Sequence, residues 1–204
     1  MDKKRSSKFN FGMKRIFLFT IATIFTLFAK AEKIDINVKS TSMNKMVSGY
    51  VITPDSYKTD TDKLFPCVYL LHGFGGSKNS WLHVKKDLQQ ISTKYNFVFV
   101  LPDVGNSWYI DSPLNKNSKY ETFVAKELVE YINANFRVIK DRKGRGITGI
   151  SMGGHGAISL AFKHPDTFGA CSSLCVSAID GVYTVLHPLF VGISMPLTFK
   201  AVLK

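Results

Sequence analysis

Apolar and polar positions alternate along this chain in two distinct ways. From Lys33 to Val38 every second residue is apolar (Ile34, Ile36, Val38), the period of a strand with one covered face. Met46 to Thr53 gives a second strand that stops before Pro54. The polar stretch Asp55 to Lys63 is a loop. Pro66 to His72 and Phe97 to Leu101 are continuously apolar, as strands covered on both faces of a parallel sheet are. Trp81 to Tyr95 mixes apolar and charged positions as a crossover helix does. Ser118-Lys-Tyr-Glu121 has the form of a capping box, and Tyr120, Phe123, Val124, Leu128, Tyr131 and Ile132 then recur at helical spacing. A strand through Ile147 to Ile150, a helix beginning near Gly153 and a strand from about Ala170 to Ser177 complete the order. Strands alternating with helices predict an α/β fold with a doubly wound, mostly parallel sheet.

The first 31 residues break this pattern. A basic stretch ending in Lys14 and Arg15 precedes thirteen residues, Ile16 to Phe28, that are mainly apolar, and then Ala29-Lys30-Ala31. This is the arrangement of a secretory signal peptide, with cleavage expected after Ala31 and a secreted or periplasmic destination. The apolar stretch is shorter than the roughly 20 residues that span a bilayer, so no stable membrane span is expected. The same segment explains much of the formal charge of +12, since removing it leaves 20 basic residues against 14 acidic ones. Without a basic stripe interleaved with aromatics, nucleic-acid binding is excluded. The remainder divides into a domain at residues 32–180 and an atypical tail at 181–204, which has no acidic residue and no amphipathic period. Cys67, Cys171 and Cys175 lie in apolar runs and read as buried thiols. On one strand the last two would stand about 13 Å apart, too far for a disulfide.

Gly149-Ile-Ser-Met-Gly153 carries the candidate chemistry, because it joins a predicted strand to a predicted helix. A G-x-S-x-G segment in that setting makes a sharp turn that lifts a serine hydroxyl above the sheet, and glycines on either side remove the Cβ atoms that would collide there. Ser151 is the candidate nucleophile. The second element, His72-Gly-Phe-Gly-Gly76, ends the first buried strand, where a backbone N–H is needed to meet a developing oxyanion. The amides of Phe74 and Met152 are the expected donors, with Gly75 as the competing choice for the first of them.

Tyr69-Leu-Leu-His-Gly-Phe-Gly-Gly76 with Trp81, Pro102-Asp-Val-Gly-Asn-Ser-Trp-Tyr109, and Gly149-Ile-Ser-Met-Gly-Gly-His-Gly-Ala157 together resemble the esterase D family of α/β-hydrolase serine esterases. That family includes S-formylglutathione, tributyrin, feruloyl and acetyl-xylan ester hydrolases. The resemblance spans roughly Lys33 to Asp180. It implies ester hydrolysis through an acyl-enzyme, with no metal or organic cofactor and with a small ester or acylated carbohydrate as substrate.

The resemblance also implies a triad acid and base well beyond the serine, yet only 53 residues follow Ser151. His155 sits inside the motif as a packing position, and His164 precedes Pro165 at a helix end. His187 follows Asp180 by seven residues and is the local alternative for an acid and base pair. The expectation is a truncated product lacking the last strands and the triad partners, with little or no activity. Trp81, Trp108 and Tyr109 are either pocket walls or core, and Asp103 and Asn106 either touch ligand or shape a turn. A non-catalytic carbohydrate-binding module and an acyltransferase are the competing functions.

Overall fold

The structure is a computed structural model that describes residues 32–174, 176–179 and 182–185. The expected signal segment with its cleavage site, Cys175, Asp180, His187 and the tail beyond residue 185 lie outside the described residues.

Six strands form one mixed sheet in the order β1-β2-β4-β3-β5-β6. These are β1 (Glu32–Ser40), β2 (Lys45–Thr53), β3 (Cys67–Leu71), β4 (Val98–Pro102), β5 (Arg145–Ile150) and β6 (Ala170–Leu174). β1, β2 and β4 pair antiparallel in sequence, whereas β4, β3, β5 and β6 run parallel. The alternation in β1 has the predicted consequence, because Ile36 and Val38 are buried while their neighbours face water. β3 and β4 are buried at every position. Their side chains divide by parity between the two faces. Tyr69, Leu71, Val98 and Val100 join one core with Leu128, Ile132, Ala157 and Leu160. Val68, Leu70, Phe99 and Leu101 join another with Trp81, Leu88 and Ile91. Helices therefore cover both faces, as a doubly wound α/β sheet requires.

Several elements differ from their sequence reading. The polar loop after β2 contains a helical turn, α1 (Ser56–Thr59). The expected helix over Trp81 to Tyr95 is two, α2 (Ser80–Val84) and α3 (Leu88–Tyr95). The intervening Lys85-Lys86-Asp87 has no apolar side chain to hold against the sheet, and its Lys85–Asp87 ion pair, 3.5 Å, stays at the surface. Asn96 ends α3 with φ at 56°, a left-handed position that asparagine tolerates. The Ser118–Glu121 capping box does not form. Helix begins at Tyr120, and it is Asp111, from the preceding loop, that accepts the Thr122 N–H at 3.0 Å and its hydroxyl at 2.6 Å. A carboxylate there is a better acceptor than a serine hydroxyl for N–H groups at a positive helix end. Glu121 turns instead to Lys163 and His164. A π-turn, Phe123–Glu127, follows and leads into α4 (Leu128–Asn135).

The helix after the G-x-S-x-G segment is α5 (Met152–Lys163). The strand expected to run from Ala170 to Ser177 stops at Leu174. Val176–Ile179 (β7) instead pairs antiparallel with Val182–Val185 (β8) as a separate hairpin. Cys67 and Cys171 are buried thiols. Burial pushes the Cys67 thiol up to about 12, with the nearby Arg145 charge opposing, so it is unreactive at neutral pH. No described helix is long and apolar enough to cross a membrane.

Candidate active site

β3, β4 and β5 end on the same side of the sheet, the side where parallel α/β sheets bind ligands. Ser151 occupies the junction of β5 and α5. Its φ of 54° and ψ of −117° lie outside the wells open to a side-chain-bearing residue. The turn is held from both sides: the Ser151 N–H donates to Leu174 O at 2.9 Å, and its carbonyl accepts the His155 N–H at 3.1 Å. It also requires the two flanking glycines. A Cβ at Gly149 would strike the Gly153 backbone, and one at Gly153 would strike the carbonyls of Leu71 and His72. Ser151 is exposed.

The loop after β3 runs beside it, close enough that a Cβ on Gly73 would stand 3.5 Å from that of Ser151. His72 is buried and fixes this loop. Its Nε2 accepts the Val104 N–H at 3.2 Å, which places the proton on Nδ1, and Nδ1 donates to Gly73 O at 2.8 Å. The buried Tyr109 hydroxyl donates to His72 O at 2.8 Å, and burial pushes that phenol up, so it stays protonated in this role. Both His72 nitrogens are occupied, which makes it a structural bolt.

One choice left open by the sequence is narrowed by Asn106. Its Oδ1 accepts the Gly75 N–H at 2.6 Å, so that amide is already engaged. Phe74 N–H donates to no described group, and Met152 N–H belongs to the first turn of α5, where amides lack intrahelical partners. Gly75 has a φ of 71°, suited to the turn that presents its N–H to Asn106.

The three aromatic candidates separate. Trp81 is buried and donates its indole N–H to Leu71 O at 2.9 Å, and Tyr109 is fully buried against Gly156, so both are core. Trp108 is exposed beside the site. Its ring lies 6.5 Å from Phe74 and 5.7 Å from His155. Trp108 and Tyr109 both have positive φ, 57° and 59°, and this pair of strained residues sends consecutive side chains to opposite destinations. His155 is an exposed rim residue on α5 and not a packing position, which corrects its sequence reading. His164 is paired with Glu121 at 3.2 Å, and its backbone N–H closes the end of α5 on Leu160 O. Asp103 stands 4.0 Å from His72 Nε2. Among the described residues no side chain hydrogen-bonds the Ser151 hydroxyl. Sequence reasoning missed the part played by Asn106, whose contact reaches across 31 residues.

Comparison with known proteins agrees with this geometry. The family model described as "Putative esterase" matches residues 40–183. An esterase of Mycobacterium tuberculosis is 31% identical over 126 residues, covering 60% of this chain and 27% of its own length. An acetyl esterase of Caldicellulosiruptor saccharolyticus is 32% identical over 119 residues, 56% of this chain and 44% of the relative. A solved ferulic acid esterase superposes with a TM-score of 0.62 at 31% identity, over 70% of this chain and 58% of that one. The chain thus spans less than half the length of these two curated relatives. The family match covers most of the chain, and its sheet order, strand-end serine turn and neighbours agree: the chain belongs to the esterase family of α/β-hydrolase-fold proteins.

Proposed function

We propose that the chain is a serine carboxylic-ester hydrolase in which Ser151 attacks the ester carbonyl and the amides of Phe74 and Met152 receive the oxyanion. The observation that carries this reading is the backbone of Ser151, held exposed in a strained conformation at the strand end. Engagement of the Gly75 amide by Asn106 supports Phe74 over Gly75 as the first donor. Each such donor contributes about 3 kcal/mol to the transition state. The exposed Phe74, Trp108 and His155 rings offer the acyl group an aromatic wall. Small esters and acylated carbohydrates are the proposed substrates.

The base is the weak point of the site. Among the described residues no histidine hydrogen-bonds the Ser151 hydroxyl, and Asp180 and His187 lie outside the described residues. We propose that these 204 residues by themselves turn over far more slowly than a complete triad does, with the oxyanion donors and binding sustaining what remains. Turnover of p-nitrophenyl acetate tests both parts. Slow hydrolysis lost in Ser151→Ala and unchanged in His187→Ala is expected. Equal rates in Ser151→Ala and the parent refute the nucleophile, and loss in His187→Ala shows a recruited base. Addition of alcohol acceptors to the same assay separates hydrolysis from acyl transfer. Export is proposed from the first 31 residues, and a mature protein whose mass begins at Glu32 is the expected result; a mass that retains Met1 to Ala31 refutes it.

A further inference from the structure

The loop after β4 contributes to a second feature. Residues 104–107 form one wall of an open depression of about 250 Å³ whose other wall is Lys45, Asn115, Asn117, Ser118 and Tyr120. The lining is dominated by amides and hydroxyls and contains no carboxylate. Carboxamides and hydroxyls both donate and accept, so they match a ligand whose own groups do the same. The one cation in the lining is held in place. Lys45 Nζ donates to the Tyr120 hydroxyl at 2.9 Å and to Asn117 O at 3.3 Å, and lies 4.6 Å from the Tyr120 ring centre. Two of its three N–H donors are thereby used on neutral acceptors, which fixes the side chain and leaves its charge in place.

The walls are preformed. The segment 112–118 is closed by Ser112 N–H to Ser118 O at 2.8 Å and Ser118 N–H to Asn115 O at 3.0 Å. Asn115 Oδ1 further accepts the Asn117 N–H at 2.9 Å. The Asn117 carboxamide and the Ser118 hydroxyl bond to no described residue and are available to a ligand. Pre-ordered walls of this kind lower the entropic cost of binding. The volume is below the roughly 300–1,000 Å³ of pockets for drug-sized molecules, and it suits one ring or less. Asn106 belongs to this lining and also holds the Gly75 N–H at 2.6 Å, so the depression shares a residue with the loop beside Ser151.

We propose that this depression binds a polyhydroxylated group, a single sugar ring or a glycerol-sized polyol, at a place separate from Ser151 and joined to its loop through Asn106. The binding claim stands apart from the esterase reading, and only an effect on turnover would rest on it.

The test is an amide NMR titration of the full chain carrying Ser151→Ala, which removes turnover of any ester, with methyl β-D-glucopyranoside and glycerol as probes and cyclohexanol as the apolar control. Saturable shifts of the Asn106 and Asn117 carboxamides, accompanied by the Gly75 backbone N–H, are expected for at least one polyol and not for cyclohexanol. The tighter probe identifies a sugar ring or a smaller polyol as the ligand. Asn117→Ala and, separately, Ser118→Ala should each weaken that binding about fivefold or more while p-nitrophenyl acetate turnover in the Ser151 protein is unchanged. No saturable shift with either polyol, equal shifts with cyclohexanol, or unaltered binding in both variants overturns the proposal. Absence of p-nitrophenyl acetate turnover would count against the esterase reading alone.

Discussion

Replacing Ser151 by glycine should make the protein more stable than replacing it by alanine, although both remove the candidate nucleophile. Ser151 holds φ at 54° and ψ at −117°. Asn44 and Asn96 also have positive φ, but asparagine adopts left-handed backbone at modest cost, whereas this φ and ψ pair suits only glycine. A side-chain-bearing residue forced into such a region costs of order 1–3 kcal/mol. Glycine releases that strain and gives back about 0.5–1 kcal/mol through the extra freedom of its unfolded chain. The net gain over alanine is then roughly 0.5–2 kcal/mol. For a chain of this size each kcal/mol moves the melting temperature by about 2–4 °C, so Ser151→Gly should melt roughly 1–8 °C above Ser151→Ala. Calorimetry on the two variants under identical conditions isolates the effect, because neither has the hydroxyl. A glycine variant that melts at or below the alanine variant refutes the claim that the turn stores strain.

The other expectations follow from named contacts. Gly153→Ala drives a Cβ into the carbonyls of Leu71 and His72, backbone atoms that cannot rotate away, and should cost about 3 kcal/mol or more, seen as loss of soluble protein or a collapsed melting temperature. Glu127 is pushed up by partial burial but more strongly down by the Ser40 and Thr41 hydroxyls and the Ser42 N–H, at 2.6, 2.7 and 2.8 Å, so its carboxyl titrates below its ordinary value. A lowered folded-state value gives stability that is present above the ordinary carboxylate range and lost as pH falls through the lowered one. Glu127→Gln should therefore cost about 1–2 kcal/mol at pH 7, and denaturant titrations should show the gap closing below roughly pH 4. Trp108→Ala removes the exposed ring between Phe74 and His155. It should raise KM for aryl-acyl esters about two- to tenfold, equivalent to about 0.5–1.5 kcal/mol, while acetate esters are little affected in the same steady-state assay.

The sheet was legible because burial on both faces writes itself directly into composition. Pro66 to His72 and Phe97 to Leu101 have no polar interruption before the last residue, and β3 and β4 lie within a residue of those bounds. The serine turn was legible because its steric demand is local: Gly149 and Gly153 are close in sequence and collide in space. What escaped depended on distance. Nothing around Ser118 reveals that Asp111 will take its capping role, and nothing in Gly73-Phe-Gly-Gly76 reveals that Asn106 will occupy the second glycine's amide. Trp81, Trp108 and Tyr109 look alike in sequence. Their fates diverge through a buried carbonyl at Leu71, a missing Cβ at Gly156 and two strained backbone angles. The end of β6 at Leu174 was equally hidden, since Ala170 to Ser177 is apolar enough for one strand and only pairing partners divide it.

The central claim is that Ser151 is a nucleophile seated beside oxyanion-binding amides. Prolonged incubation with a fluorophosphonate, followed by intact-mass and peptide mapping, tests it most directly. One adduct is expected, formed slowly, located on Ser151 and absent from Ser151→Ala. No adduct at all, or an adduct that persists in Ser151→Ala, would contradict it.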